Sequence, residues 1–126
     1  MHHPLALVCS VALEAAPLLA RLEDAMRLEI GRKPATSGTL DGAPVLVLEG
    51  GMGKANAAHA LTALLETRTV RGVIGFGVGG AYAGSGLEVG GVALASEEIY
   101  GDEGVEAPEG WISTEGIGIA LVERTD

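Results

Sequence analysis

Three places in this sequence combine residue types and spacing that could do chemistry. Glu14 follows Ser10-Val11-Ala12-Leu13, directly after the apolar run Leu5-Ala6-Leu7-Val8-Cys9. A carboxylate one turn into a helix, at the edge of a sheet, is a candidate general base, although such a side chain commonly does no more than face solvent. The other two places are Gly-rich, Gly50-Gly51-Met52-Gly53-Lys54 and the run over residues 75–86. Each follows an apolar segment. Glycines at strand ends let a ligand approach main-chain N–H groups, which together form a nest for anions or oxygens; the plain alternative is a turn.

Two familiar phosphate motifs are excluded by context. Gly75-Phe76-Gly77-Val78-Gly79-Gly80 matches the dinucleotide pattern G-x-G-x-x-G, but Ala81-Tyr82-Ala83-Gly84-Ser85-Gly86 follows it. A helix with that many glycines is costly, at about 1 kcal/mol for each relative to Ala, so no helix N-terminus is available for a pyrophosphate. Around Lys54, Leu48 stands where a P-loop needs its first glycine and Ala55 where it needs the Mg²⁺-binding hydroxyl.

Composition narrows the classes further. The formal charge of −9 would repel nucleic acid and anionic membranes alike. No run approaches the ~20 apolar residues of a membrane span. Residues 1–4 lack the basic start of a secretory signal, so the expected compartment is the cytoplasm. The single Cys9 has no disulfide partner and is expected to be buried and inert. His2 and His3 have no third ligand nearby, so no metal site is expected. Hydrophobic residues make up 48% of the chain with only 3% aromatics, which fits a small-residue α/β core.

The elements that must position these groups follow from periodicity. Residues 5–9 read as a strand buried on both faces. Residues 12–26 read as a helix with Leu13, Ala16, Leu19 or Ala20, and Leu22 on its apolar side; Ser10 lies in its N-cap region, and Pro17 is tolerable within the first turn. Residues 27–30, 36–40 and 45–48 read as strands, the last two joined by the tight turn Asp41-Gly42. Residues 53–65 read as a helix with Ala57 or Ala58, Leu61, Leu64 and Leu65 on one side, and residues 70–76 and 89–96 as further strands. The order β-α-β-β-β-α-β-β predicts an α/β fold with a mixed sheet. The tail, with Trp111 and Ile112 in a Gly-rich and acidic context, is irregular, and no helix closes the fold. The chain is therefore expected to stop early.

These residues together resemble the family of nucleoside phosphorylases and nucleosidases that includes methylthioadenosine/S-adenosylhomocysteine nucleosidase. The likeness rests on the opening strand with Glu14, the Asp41-Gly42 hairpin, Gly51-Met52-Gly53-Lys54, and Gly77-Val78-Gly79-Gly80 followed by Leu87-Glu88-Val89-Gly90. Within the family, Gly80-Ala81-Tyr82, Ser85-Gly86-Leu87, the stretch Ala95-Ser96-Glu97-Glu98-Ile99-Tyr100-Gly101-Asp102-Glu103-Gly104-Val105 and Pro108-Glu109-Gly110-Trp111 are similar to futalosine hydrolases. The resemblance implies a three-layer fold with a mixed central sheet, of which residues 1–126 form the first half. It implies hydrolysis of the N-ribosidic bond of futalosine to hypoxanthine and dehypoxanthine futalosine, on the alternative route to menaquinone. The alternatives are methylthioadenosine/S-adenosylhomocysteine nucleosidase and a non-catalytic nucleoside-binding module. A phosphorylase is disfavoured because Lys54 is the one basic residue near the Gly loops in sequence.

By the same resemblance Glu14 activates the water, Met52 lies at the 5′ side of the sugar, Gly53 also binds substrate, and Val78, Gly79, Gly80 and Ala81 lie beside ribose and base. Glu97 and Tyr100 are weaker candidates for the lining. No cofactor is implied, and a homo-oligomer is. The relatives carry Ser where this chain has Val78, which puts the placement of the water in doubt. The Met-Glu segment that binds the ribose hydroxyls and the aspartate that protonates the purine belong to the half not present here, and Glu106, Glu109 and Glu123 do not replace them. The 126-residue chain is accordingly expected to have little or no activity alone.

Overall fold

The computed structural model describes residues 3–118, which cluster into two compact units divided between Gly80 and Ala81. The first holds β1 (Leu5–Cys9), α1 (Ala12–Leu19), β2 (Glu23–Ile30), β3 (Lys33–Leu40), β4 (Ala43–Glu49), α2 (Lys54–Thr67) and β5 (Gly72–Gly75). Its five strands form one sheet in the order β2-β3-β4-β1-β5. β1 runs parallel to β4 and to β5, whereas β2, β3 and β4 are antiparallel neighbours. The fold is α/β with a mixed sheet, as the sequence predicts.

Strand alternation sorts the apolar side chains between the two faces. Ala6 of β1 with Leu46 and Leu48 of β4 pack against Ala60 and Leu64 of α2. Cys9 and Leu7 of β1 with Val47 of β4 pack on the opposite face against Ala15, Leu18 and Leu19 of α1. That is why both strands are continuously apolar: each has a helix on either side. Leu48, Leu64 and Val47 are the largest fully buried side chains among the described residues, each stabilising the fold by ~1.5–3 kcal/mol relative to exposure.

The two antiparallel connections are two-residue turns with positive φ at both positions. Gly31 (φ 57°) and Arg32 (φ 61°) join β2 to β3, and Asp41 (φ 49°) and Gly42 (φ 79°) join β3 to β4. This is the type I′ geometry whose twist matches the flanking strands. The Asp41-Gly42 hairpin stands as the sequence predicts.

Five expectations are corrected. The first helix does not reach residue 26: α1 stops at Leu19, and β2 begins at Glu23. Pro17 is the sixth helical residue rather than part of the first turn, and having no N–H it cannot bond back to Leu13. The apolar side of α1 is also rotated, with Leu13 79% exposed and Ala15, Leu18 and Leu19 turned inward. In α2, Leu61 and Leu65 are exposed while Ala60 and Leu64 are buried. Here a small residue wins the core position: a Cβ at Gly50 would lie 3.2 Å from that of Ala60, so helix and sheet approach closely. Finally, residues 89–96 form no strand.

The second unit is described from Ala81 to Gly118. Its regular structure is a hairpin of β6 (Gly104–Ala107) and β7 (Gly110–Ser113), pairing Val105 with Ile112 and Glu106 with Trp111. The sequence predicts irregular structure here, so the hairpin is a further correction. No helix among the described residues is long and apolar enough to cross a membrane. His2 and Glu123 lie outside the described residues.

Candidate active site

The parallel pairing of β1 with both β4 and β5 brings three strand ends together. The N–H of Gly50 donates to the carbonyl of Cys9 (2.8 Å) and that of Gly51 to Ser10 (2.9 Å), so the chain leaving β4 runs beside the chain leaving β1. On the other side the N–H of Phe76 donates to the carbonyl of Val8 (2.9 Å). Both Gly segments therefore flank the turn from β1 into α1, which carries Glu14. This is the carboxyl edge at which open α/β sheets place their ligands.

Glu14 occupies the third helical position, with Val11 as N-cap in extended backbone conformation. Its Oε2 accepts hydrogen bonds from the N–H groups of Ser10 (2.9 Å) and Val11 (3.2 Å). A glutamate at this helix position reaching back to the N-cap amide is half of a capping box, which has a purely structural use. Oε1 does something capping does not require: it accepts the N–H of Val78 at 3.1 Å, from 64 residues along the chain. The N-cap is Val11, not Ser10 in the expected N-cap region; Ser10 only donates its amide to Glu14 Oε2.

Three main-chain donors favour the charged carboxylate and hold Glu14 below its ordinary pKa of 4.5, Val78 contributing most, then Ser10, with partial burial opposing and Val11 adding least. The group is ionised at neutral pH. Oε1 carries one of the three bonds and Oε2 two, and a carboxylate offers about four acceptor positions. Room for a further donor, such as water, is therefore left at Oε1. Cys9, below it in the core, is pushed up by burial first and then by the charges of Glu14 and Glu49. It is buried, as expected.

The remaining predicted positions divide. Val78 is joined to Glu14 through its amide while its side chain is exposed. Gly79 and Gly80 follow it in open surroundings, where an added Cβ would meet nothing within 4 Å. Met52 is exposed, and its carbonyl accepts the side-chain amide of Asn56 at 2.8 Å. Gly53 is the N-cap of α2 with φ 87°, a conformation that favours glycine. Ala81, Glu97 and Tyr100 belong to the second unit.

Sequence spacing missed two features. Lys33, at the start of β3, donates to Asn56 Oδ1 at 2.7 Å and lies against Gly51. Lys54 is thus not the only cation near this loop, because the Gly31-Arg32 turn folds Lys33 back onto it. The other feature is Gly77, whose missing Cβ leaves the space that Glu14 fills. Among the described residues no group of three or more His, Cys, Asp or Glu is placed to hold a metal ion.

Comparison with known proteins agrees with this architecture. The model of the Phosphorylase superfamily matches residues 4–118. A 5′-methylthioadenosine/S-adenosylhomocysteine nucleosidase from Anoxybacillus flavithermus is 35% identical over 103 residues, covering 82% of this chain and 44% of that protein. The enzyme of the same name from Lysinibacillus sphaericus is 36% identical over 98 residues, covering 78% and 42%. The chain thus spans less than half the length of these relatives. The crystal structure of the Colwellia psychrerythraea nucleosidase in complex with adenine superposes with a TM-score of 0.62 at 28% identity, over 68% of this chain and 35% of that one.

Proposed function

Because the chain belongs to the phosphorylase superfamily, we propose that it carries the water-activating side of a purine-nucleoside N-ribosyl hydrolase acting on 5′-methylthioadenosine or S-adenosylhomocysteine. The observation that carries this reading is the Glu14 carboxylate, clasped by amides from two strand ends where a helix cap alone would need one. The names of the relatives supply the substrate class.

Cleavage of an N-ribosidic bond passes through an oxocarbenium-like state, in which the bond to the base is largely broken before water adds. The water must be held on the sugar's open face and give up its proton as it bonds. Glu14 accepts a hydrogen bond from that water at Oε1 and takes the proton as the O–C bond forms. A depressed pKa makes it a weaker base, but the oxocarbenium carbon makes the water's proton far more acidic in the same step. With Val at position 78 no hydroxyl stands there to help, so the water is placed by Glu14 and main-chain groups. Met52 lines the 5′ side with Gly53 in the same substrate-binding loop, and Val78, Gly79 and Gly80 lie beside ribose and base. Protonation of the leaving purine falls to the part of the relatives' length that this chain does not span. A cytoplasmic homo-oligomer completes the reading.

One stretch favours a second substrate. Residues 95–105 read as in futalosine hydrolases, which points to futalosine and release of hypoxanthine. The deciding experiment incubates the complete gene product with methylthioadenosine, S-adenosylhomocysteine and futalosine in phosphate-free buffer and identifies the purine released. Adenine supports the leading reading and hypoxanthine the second. Release that requires phosphate would overturn both. Glu14→Gln in that protein lowers kcat by about 10²–10⁴ if Glu14 is the base; nucleoside binding without turnover, indifferent to the substitution, would make the protein a binding module. The 126-residue chain alone should release neither base at an enzymatic rate.

A further inference from the structure

We propose that Gly77 is a positioning residue for Glu14: the absence of a side chain at position 77 is what lets the carboxylate reach the amide of Val78. The inference rests on Glu14 being the functional carboxylate, as above. A Cβ built on Gly77 would stand 2.6 Å from Glu14 Oε1, 3.1 Å from its Cδ and 3.4 Å from Oε2. These are the three nearest atoms beyond its chain neighbours, so the first group a methyl would displace is this carboxylate.

Backbone conformation gives Gly77 no other reason to be glycine. It is not among the positive-φ glycines, so an L-residue fits its main chain without strain. Gly79, two residues on in the same loop, is also free of positive φ, yet a Cβ there meets nothing within 4 Å. The two glycines are alike in main-chain freedom and differ in what they face. The atom in the way at Gly77 is moreover the far end of a flexible side chain. Glu14 can swing aside and leave the sheet and α1 where they are, and the cost falls on the hydrogen bond at Oε1. A methyl group at position 77 therefore disarms the site and spares the fold. No charged side chain contributes to the depressed pKa of Glu14, and the titratable neighbour on β1 is Cys9.

The test uses the 126-residue chain itself and needs no substrate, so its outcome is independent of which nucleoside, if any, is cleaved. The side-chain carboxyl of Glu14 and the amide of Val78 are followed by NMR through an acid titration in the parent, Gly77→Ala and Gly79→Ala. In Gly77→Ala the Glu14 midpoint moves up towards its ordinary value, and the Val78 amide stops reporting that titration. The amides of Leu46 and Val47 stay in place. In Gly79→Ala the Glu14 midpoint and the Val78 response match the parent. An unchanged Glu14 titration in Gly77→Ala, or an equal shift in both variants, overturns the proposal. Should Gly77→Ala fail to fold, the double variant Glu14→Ala/Gly77→Ala decides. Recovery of the fold supports a clash confined to Glu14, and continued failure makes Gly77 a structural glycine and overturns the assignment.

Discussion

Leu48 is fully buried and Leu94 is 95% exposed, yet each ends a run rich in β-prone residues: Val45-Leu46-Val47-Leu48 in the first unit, Val89-Gly90-Gly91-Val92-Ala93-Leu94 in the second. The first run lies between β1 and β3 in a sheet with a helix on either face. The second is broken by Gly90 with φ 88° and a turn in which the Gly91 amide bonds back to Glu88, and it pairs with no strand among the described residues. The same contrast runs through the units: among the described residues the buried hydrophobic ones fall in the first, and Tyr82, Val92 and Ile99 in the second are exposed. Apolar sequence makes a strand only where neighbours exist to accept its edges and faces.

Paired truncations would break that comparison most directly. Leu64→Ala should lower the stability of the first unit by ~2–5 kcal/mol, read from chemical denaturation. Leu94→Ala should stay within about 0.5 kcal/mol, as for an exposed side chain. A loss at Leu94 as large as that at Leu64 would reveal a packed core in the second unit. Amide exchange sharpens the same point: protection should be highest over residues 45–48 and low over residues 89–96.

The next effect concerns Cys9, raised by burial and by the nearby carboxylates. A neutral thiol favoured by the fold contributes stability below the thiol's ordinary pKa and loses it as pH rises through the raised value. Its reaction with a thiol reagent at mild alkaline pH should be slow in the native chain and fast on denaturation. Equal rates would mean that the layer between β1 and α1 is open.

Glu14 has the opposite sign. Its folded-state pKa lies below 4.5, so its stabilising bonds are complete above 4.5 and are lost as pH falls through that lower value. Melting curves between neutral pH and pH 3 should show a small acid loss that Glu14→Gln reduces. The smallest effect is expected at Arg21–Asp41, paired at 3.0 Å with side chains 62% and 79% exposed. Arg21→Ala should cost ~0.2–1 kcal/mol and less at high salt.

Much of the first unit was legible in the sequence because its signals are local. The apolar runs of β1 and β4, the Asp41-Gly42 turn and the second helix all declare themselves within a few residues. The end of α1 did not, because Leu22 continues a helical spacing that Pro17 and the pull of β3 on the following residues override. The β6–β7 hairpin has four-residue strands, too short for a periodic pattern. At the candidate site, Glu14 could be marked from its distance to the β1 run. Its partners could not: a main-chain amide has no residue signature, and the approach of Val78 exists only once β5 lies beside β1.

The clasp around Glu14 is written in main chain at all three contacts, from Ser10, Val11 and Val78. The hold on the carboxylate is therefore nearly blind to which side chains those positions carry. Such a clasp can persist while residues 10, 11 and 78 change, and it hides from any search that looks for a constellation of polar side chains. Randomised libraries at those three positions should return many sequences that keep the depressed Glu14 titration, as long as proline, which lacks the amide, is avoided.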